Sequence, residues 1–199
     1  MDFYFTIDTS GFAEYKNRGS KFLGYSYALK GAEEFKKYLQ ALKKEHPKAV
    51  HYCFAYRIGF DGNIHRSSDD GEPAGTAGKQ ILGQIDSKNL TNILVIIVRY
   101  FGGTLLGVPG LIAAYKTSAS LVLQCTPIIQ KAIEVNYILQ FDYTAMNDVM
   151  LILKQFNCTI LKNETQLFCN VEVGIPTNKL TEVLNGLTNL QNIELKKLN

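Results

Sequence analysis

The sequence predicts an α+β protein of two domains, 1–130 and 131–199. Strand-like and helical segments are mixed up to about residue 130, around one run, Ile93–Val98, that is apolar on both faces and suits a central strand. The pattern changes near Lys131. From Ala132 to Leu198 the segments read strand, helix, strand, strand, helix, strand, the split βαβ order of a ferredoxin-like domain. A chain of 199 residues has room for two such cores. Its 46% hydrophobic and 20% charged content is that of a folded chain, not a disordered one.

In the first domain, residues 3–9 and roughly 12–28 read as strands, with Phe3, Phe5 and Ile7 alternating. The polar turn Lys16-Asn17-Arg18-Gly19-Ser20 divides that stretch. Ala32–His46 is a predicted helix, with Phe35, Leu39 and Leu42 at helical spacing and Pro47 as its stop. His51–Phe60 alternates as a strand, placing Tyr52, Phe54 and Tyr56 on one face and Cys53, Ala55 and Arg57 on the other. After the turn Asp61-Gly62-Asn63 a glycine-rich loop leads to a helix that Thr76 is expected to cap. A further helix is expected from Val108, with Pro109 in its first turn and Leu111, Ala114, Tyr115, Ser118, Leu121 and Val122 as its buried stripe. Thr126-Pro127 should end it.

In the second domain, Ala132–Tyr143 reads as a strand and Ala145–Phe156 as a helix. Cys158–Lys162 and Gln166–Gly174 read as strands joined by the turn Asn163-Glu164-Thr165. Pro176–Leu187 is the second helix and Asn192–Leu198 the last strand.

Several function classes are set aside by these residues. No window approaches the roughly eighteen uninterrupted apolar residues of a membrane span. The opening Met1-Asp2-Phe3-Tyr4-Phe5 lacks the basic segment and apolar core of a signal peptide, so a cytoplasmic location without membrane contact is expected. Cys53, Cys125, Cys158 and Cys169 form no Cys-x-x-Cys pair and read as small buried hydrophobes. A nucleotide-binding P-loop fails over Gly71–Gln80, because Gln80 follows Gly78-Lys79 where Ser or Thr is needed and Pro73 stands in place of the first glycine. Gly102-Gly103 and Gly107 do not match a dinucleotide fingerprint either.

Two helix N-termini that follow glycine-rich backbone remain, near Thr76 and near Val108, and such ends attract anions. Arg66 and Arg99 flank the loops, and a guanidinium fork suits phosphate or carboxylate. The net charge of +3 is carried by the first domain, where 15 basic residues face 11 acidic ones up to Gln130, against 6 and 7 beyond it. One reading is an anion-contacting surface; the other is structural turns in which the arginines pair with Asp69, Asp70 or Glu72. Asp69, Asp70 and Glu72 could also act as oxygen ligands or a general base. His65, Ser67, Ser68 and Asp69 hold the residue types of a hydrolase triad, but no nucleophile elbow surrounds them. His51 and Cys53 share a strand face as two metal ligands would, and a satisfied core histidine is the plainer reading.

The blocks Arg66-Ser67-Ser68-Asp69-Asp70-Gly71-Glu72-Pro73, Gly75-Thr76-Ala77-Gly78, Leu90-Thr91-Asn92, Arg99-Tyr100-Phe101-Gly102-Gly103 and Leu106-Gly107 occur in one order. With Lys21-Phe22-Leu23-Gly24 and His51–Arg57 before them, they closely resemble the IMPACT (YigZ-type) family, in its bacterial two-domain form. The resemblance implies a ribosomal protein S-five domain-2-like fold for the first domain. For the second it implies a ferredoxin-like domain similar to the last domain of elongation factor G. Eukaryotic relatives regulate translation by binding the co-activator of a starvation-sensing kinase; for bacterial members nucleic-acid binding is the usual proposal. Two departures stand out: Pro109 replaces a glycine of the family's Gly-x-Gly-Gly, and Ala113-Ala114-Tyr115 replaces Arg-Ala-Tyr, which removes one positive charge.

The resulting expectation is a non-enzymatic, translation-associated factor that binds RNA, the ribosome or a protein partner in translation control. Its binding residues would be Arg66, Ser67, Ser68, Asp69, Asp70 and Glu72, then Gly75, Thr76, Gly78 and Lys79, and finally Arg99, Tyr100, Gly102 and Gly103. No catalytic residue, metal or cofactor is expected. The alternative is a hydrolase acting on a small phosphorylated or peptide substrate through Asp69, Asp70 and Glu72.

Overall fold

Ile93–Tyr100 (β6) is the middle strand of a five-stranded antiparallel sheet, and every residue from Ile93 to Arg99 is buried. The computed structural model describes residues 2–165 and 168–198. The chain divides into one unit of Tyr4–Lys131 and another that begins at Ala132 and includes residues 2–3.

The sheet of the first unit is built from Gly11–Asn17 (β2), Ser20–Ala28 (β3), β6, His51–Ile58 (β4) and Ile64–Ser68 (β5), in the order β2-β3-β6-β4-β5. Helix Phe35–Glu45 (α1) covers one face; helices Gly78–Ser87 (α2) and Gly107–Gln124 (α3) cover the other. β6 serves both sides: Leu94, Ile96 and Val98 meet the α1 layer, while Ile93, Val95 and Ile97 meet α2 and α3. That is why its residues are apolar without alternation. Fully burying each such side chain contributes about 1.5–3 kcal/mol. β4 keeps the predicted alternation, with Tyr52, Phe54 and Tyr56 toward α1 and Cys53 and Ala55 toward α2 and α3. Phe3–Ile7 (β1) pairs with Ile128–Ala132 (β7) in a separate two-stranded sheet.

Four local expectations change. Residues 31–34 form turns before α1, which starts at Phe35 instead of Ala32 because Glu34 N–H bonds back to the Gly31 carbonyl. The β2–β3 connection tightens to Arg18-Gly19, both at positive φ (46° and 81°), as a two-residue hairpin requires. Arg66–Ser68, expected as loop, belongs to β5; its outward side chains are free to be polar. Thr76 does not cap α2: its hydroxyl donates to the Pro73 carbonyl, and the helix begins at Gly78.

The second unit runs Glu134–Phe141 (β8), Met146–Gln155 (α4), Thr159–Thr165 (β9), Cys169–Pro176 (β10), Leu180–Thr188 (α5) and Ile193–Lys197 (β11). Its antiparallel sheet has the order β11-β8-β10-β9, and Leu139, Val171 and Val173 pack with Val149, Leu153, Val183 and Leu187 of the helices. The strand expected over Ala132–Tyr143 is β8, Glu134–Phe141; Ala132 instead ends β7, a strand from Ile128 that the sequence reading did not contain, and Tyr143 opens a short 3-10 turn. The expected turn Asn163-Glu164-Thr165 is the end of β9, paired with Val171, Asn170 and Cys169. β9 is an edge strand with every side chain exposed, so polar residues extend it at no burial cost. Of the expected strand Gln166–Gly174, Gln166 and Leu167 lie outside the described residues, and β10 begins at Cys169.

Candidate functional site

Where β5 ends, the chain turns through 69–77 into α2, and Asp69 organises that turn. Its Oδ2 accepts the Gly75 N–H at 2.9 Å, and its Oδ1 accepts the N–H groups of Ala77 and Gly78 at 2.9 and 2.8 Å. At this helix start the amides of Ala77 and Gly78 are therefore taken by the chain's own carboxylate. Partial burial of Asp69 works to raise its pKa, but the three backbone donors outweigh it and hold the carboxyl below its ordinary value. Gly78 is needed for close approach: a Cβ there would lie 2.7 Å from the Ser68 backbone nitrogen.

Asp70 and Glu72 turn elsewhere. Asp70, in the left-handed region at φ 43°, accepts the Tyr52 N–H on its Oδ2 at 2.7 Å, and its own carbonyl lies 2.8 Å from His51 Nδ1. A carbonyl only accepts, so Nδ1 carries the proton and donates. Glu72 is buried, and its Oε1 takes Arg99 Nη1 at 2.5 Å and the Tyr115 hydroxyl at 2.7 Å. His51 Nε2 stands 3.9 Å from the same oxygen. The three carboxylates thus have three separate sets of partners and do not converge as the hydrolase alternative requires. Among the described residues no three His, Cys, Asp or Glu side chains are grouped to hold a metal.

Arg99 is only 5% exposed. Besides Glu72 it reaches Ser20 Oγ at 3.5 Å, and Ser20 Oγ also accepts the Gly102 N–H at 3.2 Å. Gly102 rests against the β2–β3 turn so closely that a Cβ would lie 1.8 Å from the Gly19 carbonyl carbon. The Tyr115 hydroxyl and the Asp69 carbonyl flank Cys53 Sγ at 3.3 and 3.0 Å, and burial pushes the Cys53 thiol and the Tyr115 phenol well above their ordinary pKa values. These are framework contacts that tie β3, β4, β6, α3 and the 69–77 loop together.

The structure does not bring Arg66 and Arg99 together. Arg66 lies opposite Tyr56 on the α1 face, with its guanidinium carbon 5.5 Å from the Phe35 ring centroid and 5.9 Å from that of Phe54. Arg99 lies opposite His51 and Phe22 and over the Phe22 ring, on the face covered by α2 and α3. Of the remaining expected site residues, Ser67 and Lys79 are exposed, and Ser68 is half-buried with its hydroxyl on the Asp70 N–H. Thr76 is buried, and half-buried Tyr100 places its hydroxyl 3.1 Å from His46 Nδ1. Gly75 and Gly103 have positive φ, and nothing lies where their Cβ atoms would be.

Two features lay outside the sequence reading. A groove of 520 Å³ runs beside α1, where Lys36, Lys43 and Arg66 surround Phe35, Leu39 and Phe54. Lys36 and Lys43 are seven apart, two helical turns, which was the available signal. The second is a cleft of 430 Å³ on the opposite face, with Arg99, Glu72 and His51 among its lining.

The model of the Impact N-terminal domain matches residues 18–123. "IMPACT family member YigZ" of Escherichia coli (strain K12) is 33% identical over 165 residues, covering 82% of this chain and 81% of that protein. "IMPACT family member YvyE" of Bacillus subtilis (strain 168) is 32% identical over 191 residues, covering 94% and 87%. A solved structure described as a hypothetical protein superposes with a TM-score of 0.77 at 29% identity, covering 100% of this chain and 98% of that one.

Proposed function

The chain belongs to the IMPACT family as a member of the bacterial YigZ/YvyE type, and from that premise we propose that it is a translation-associated accessory factor that binds RNA in the cytoplasm. The observation that carries this reading is the groove beside α1, which gathers the cations of Lys36, Lys43 and Arg66, the Arg66 guanidinium resting over the buried rings of Phe35 and Phe54. Phosphates are gripped by such cations, and unstacked bases lie on aromatic or guanidinium planes. Arg66 stands over two rings yet is exposed, and its donors have no hydrogen-bond partner among the described residues. The contact surface of this proposal therefore keeps Arg66 from the glycine-rich segment and replaces Arg99 with the two lysines.

The finer fold assignments belong to the same proposal. A ribosomal protein S-five domain-2-like domain over 1–130 and a ferredoxin-like domain over 131–199 are both architectures that translation proteins use. The strand order β11-β8-β10-β9 supports the second assignment. Kinase-pathway regulation, which the eukaryotic relatives perform, is not carried over.

The test is fluorescence anisotropy with a labelled single-stranded RNA across a potassium chloride series. Lys36→Ala, Lys43→Ala and Arg66→Ala combined should weaken binding and reduce the log–log salt slope by about 2, at about 0.7 per phosphate contact on a single strand. Lys79→Ala, outside the groove, should leave the slope unchanged. An unchanged slope in the triple variant overturns the assignment.

A further inference from the structure

The sheet of the second unit ends on β9, and that edge is open. Thr159–Thr165 pairs with β10 along one side and with no strand along the other, and all seven of its side chains are exposed. Its outward main-chain N–H and C=O groups have no partner among the described residues. Such an edge is a template for another strand. Two large apolar side chains lie on it, Ile160 at 44% and Leu161 at 49% exposure. Leu161 sits in a bulge: Lys162 pairs with Glu172 and Ile160 with Val173, which leaves Leu161 without a cross-strand neighbour on β10.

A lysine on an edge strand normally repels a second strand, but here it is answered within the strand. Lys162 Nζ lies 2.8 Å from Glu164 Oε1, and both side chains are exposed. One lysine and one glutamate are the only charged residues of β9, so the strand carries no net charge. Read backwards, Lys162-Asn163-Glu164 is complementary to itself. On an edge, the main-chain groups that face outward belong to alternate residues, so two antiparallel copies of one strand pair with a residue on the two-fold axis. An axis at Lys162 sets lysine against lysine, and one at Glu164 sets glutamate against glutamate. An axis at Leu161 sets Lys162 against Ile160. An axis at Asn163 sets Lys162 against Glu164 of the second copy and Glu164 against its Lys162, with Leu161 beside its Thr165.

We propose that β9 pairs antiparallel with β9 of a second copy of this chain, about a two-fold axis at Asn163, joining the two four-stranded sheets into one. The occupant is a second copy because an identical strand satisfies both charges and leaves none over on either side. The opposite edge, β11, is less suited. It is shorter, its Ile193 and Leu195 already pack against the core, and it ends on adjacent Lys196 and Lys197, the residue type that keeps edges apart. The pairing spans only Leu161–Thr165, so the dimer is reversible and forms as concentration rises.

Sedimentation velocity of the full chain tests this across about 1 μM to 1 mM. The parent should pass from monomer to dimer over that range. Lys162→Glu alone, or Glu164→Lys alone, places like charges opposite each other on both sides of the axis and should weaken dimerisation at least about tenfold. Mixing these two variants in equal amounts should restore a dimer, because each then faces its opposite. The double exchange, Lys162→Glu with Glu164→Lys, should dimerise like the parent, and Lys196→Glu on β11 should change nothing. Melting temperatures should match the parent's, since every substituted side chain is exposed. The proposal is overturned if the parent stays monomeric throughout, if both single variants dimerise like the parent, or if the mixture stays monomeric.

Discussion

Tyr115 donates its hydroxyl to Glu72 across 2.7 Å and 43 positions of sequence, fastening helix α3 to the loop that precedes α2. The same carboxylate oxygen holds Arg99, so one buried atom joins three segments of the first unit.

Removing the carboxylate charge should matter more than removing the phenol. Glu72→Gln leaves the Arg99 guanidinium buried without its anion and is expected to cost about 3–5 kcal/mol. Tyr115→Phe deletes one donor while Glu72 keeps Arg99, at about 1 kcal/mol. Urea unfolding compares the two; a Glu72→Gln chain no less stable than Tyr115→Phe would remove the ion pair from the account of this loop.

Asp69 makes stability depend on acid. Its folded pKa lies below the ordinary value of 3.8, so its contribution is complete above that value and is lost as pH falls through the folded pKa. Asp69→Ala should lower stability at pH 7 by about 1–2 kcal/mol, the range of a lost helix cap, and should flatten the acid limb of a melting-temperature profile. Parallel acid limbs in parent and variant would show that the three amides do not depend on this carboxylate.

Adjacent glycines should respond differently. Gly102→Ala places a methyl 1.8 Å from the Gly19 carbonyl carbon, so the β2–β3 turn and the β6–α3 connection must separate, at more than about 3 kcal/mol. Gly103→Ala meets open space and suffers only the strain of a φ of +85°, about 1–2 kcal/mol. Chemical denaturation that ranks them in the opposite order would contradict the close approach.

The four thiols should separate by rate with a disulfide reagent at pH 8. Exposed Cys125 reacts first; Cys158 follows slowly, because burial and then the Glu134 charge raise it to about 11. Cys53 and Cys169, both buried, should react only as the chain unfolds. Early labelling of Cys53, read by peptide mass mapping, would mean that the β4–α3 contact opens in the native state.

Much of this architecture is legible from side-chain periodicity. The two-sided run Ile93–Val98 is the central strand, and Leu111, Ala114, Tyr115, Ser118 and Val122 are in the buried stripe of α3, because those patterns record burial directly, while the expected Leu121 is half-buried. β5 is not legible, since an edge strand with exposed Arg66 and Ser67 carries no apolar record. Asp69 is hidden for another reason: it binds amides six, eight and nine residues ahead, a contact set by the path of the loop and not by any short motif. The separation of Arg66 from Arg99 depends on which way each strand faces, and that is fixed only when β5 and β6 are both paired to β4.

The strand order also imposes a schedule on biosynthesis. β3 finds its second partner only when β6 exists, and β1 pairs with β7, the last strand of its unit. At about 5–20 residues per second, roughly ten seconds pass between the appearance of those two strands at the ribosome. The five-stranded sheet can form once β6 has emerged, but β1 waits for β7, and Phe3, Phe5 and Phe12 remain exposed even in the finished fold. The nascent chain thus carries the aromatic side chains of β1 unpaired until β7 closes the unit, and contacts of such long sequence separation are slow to form.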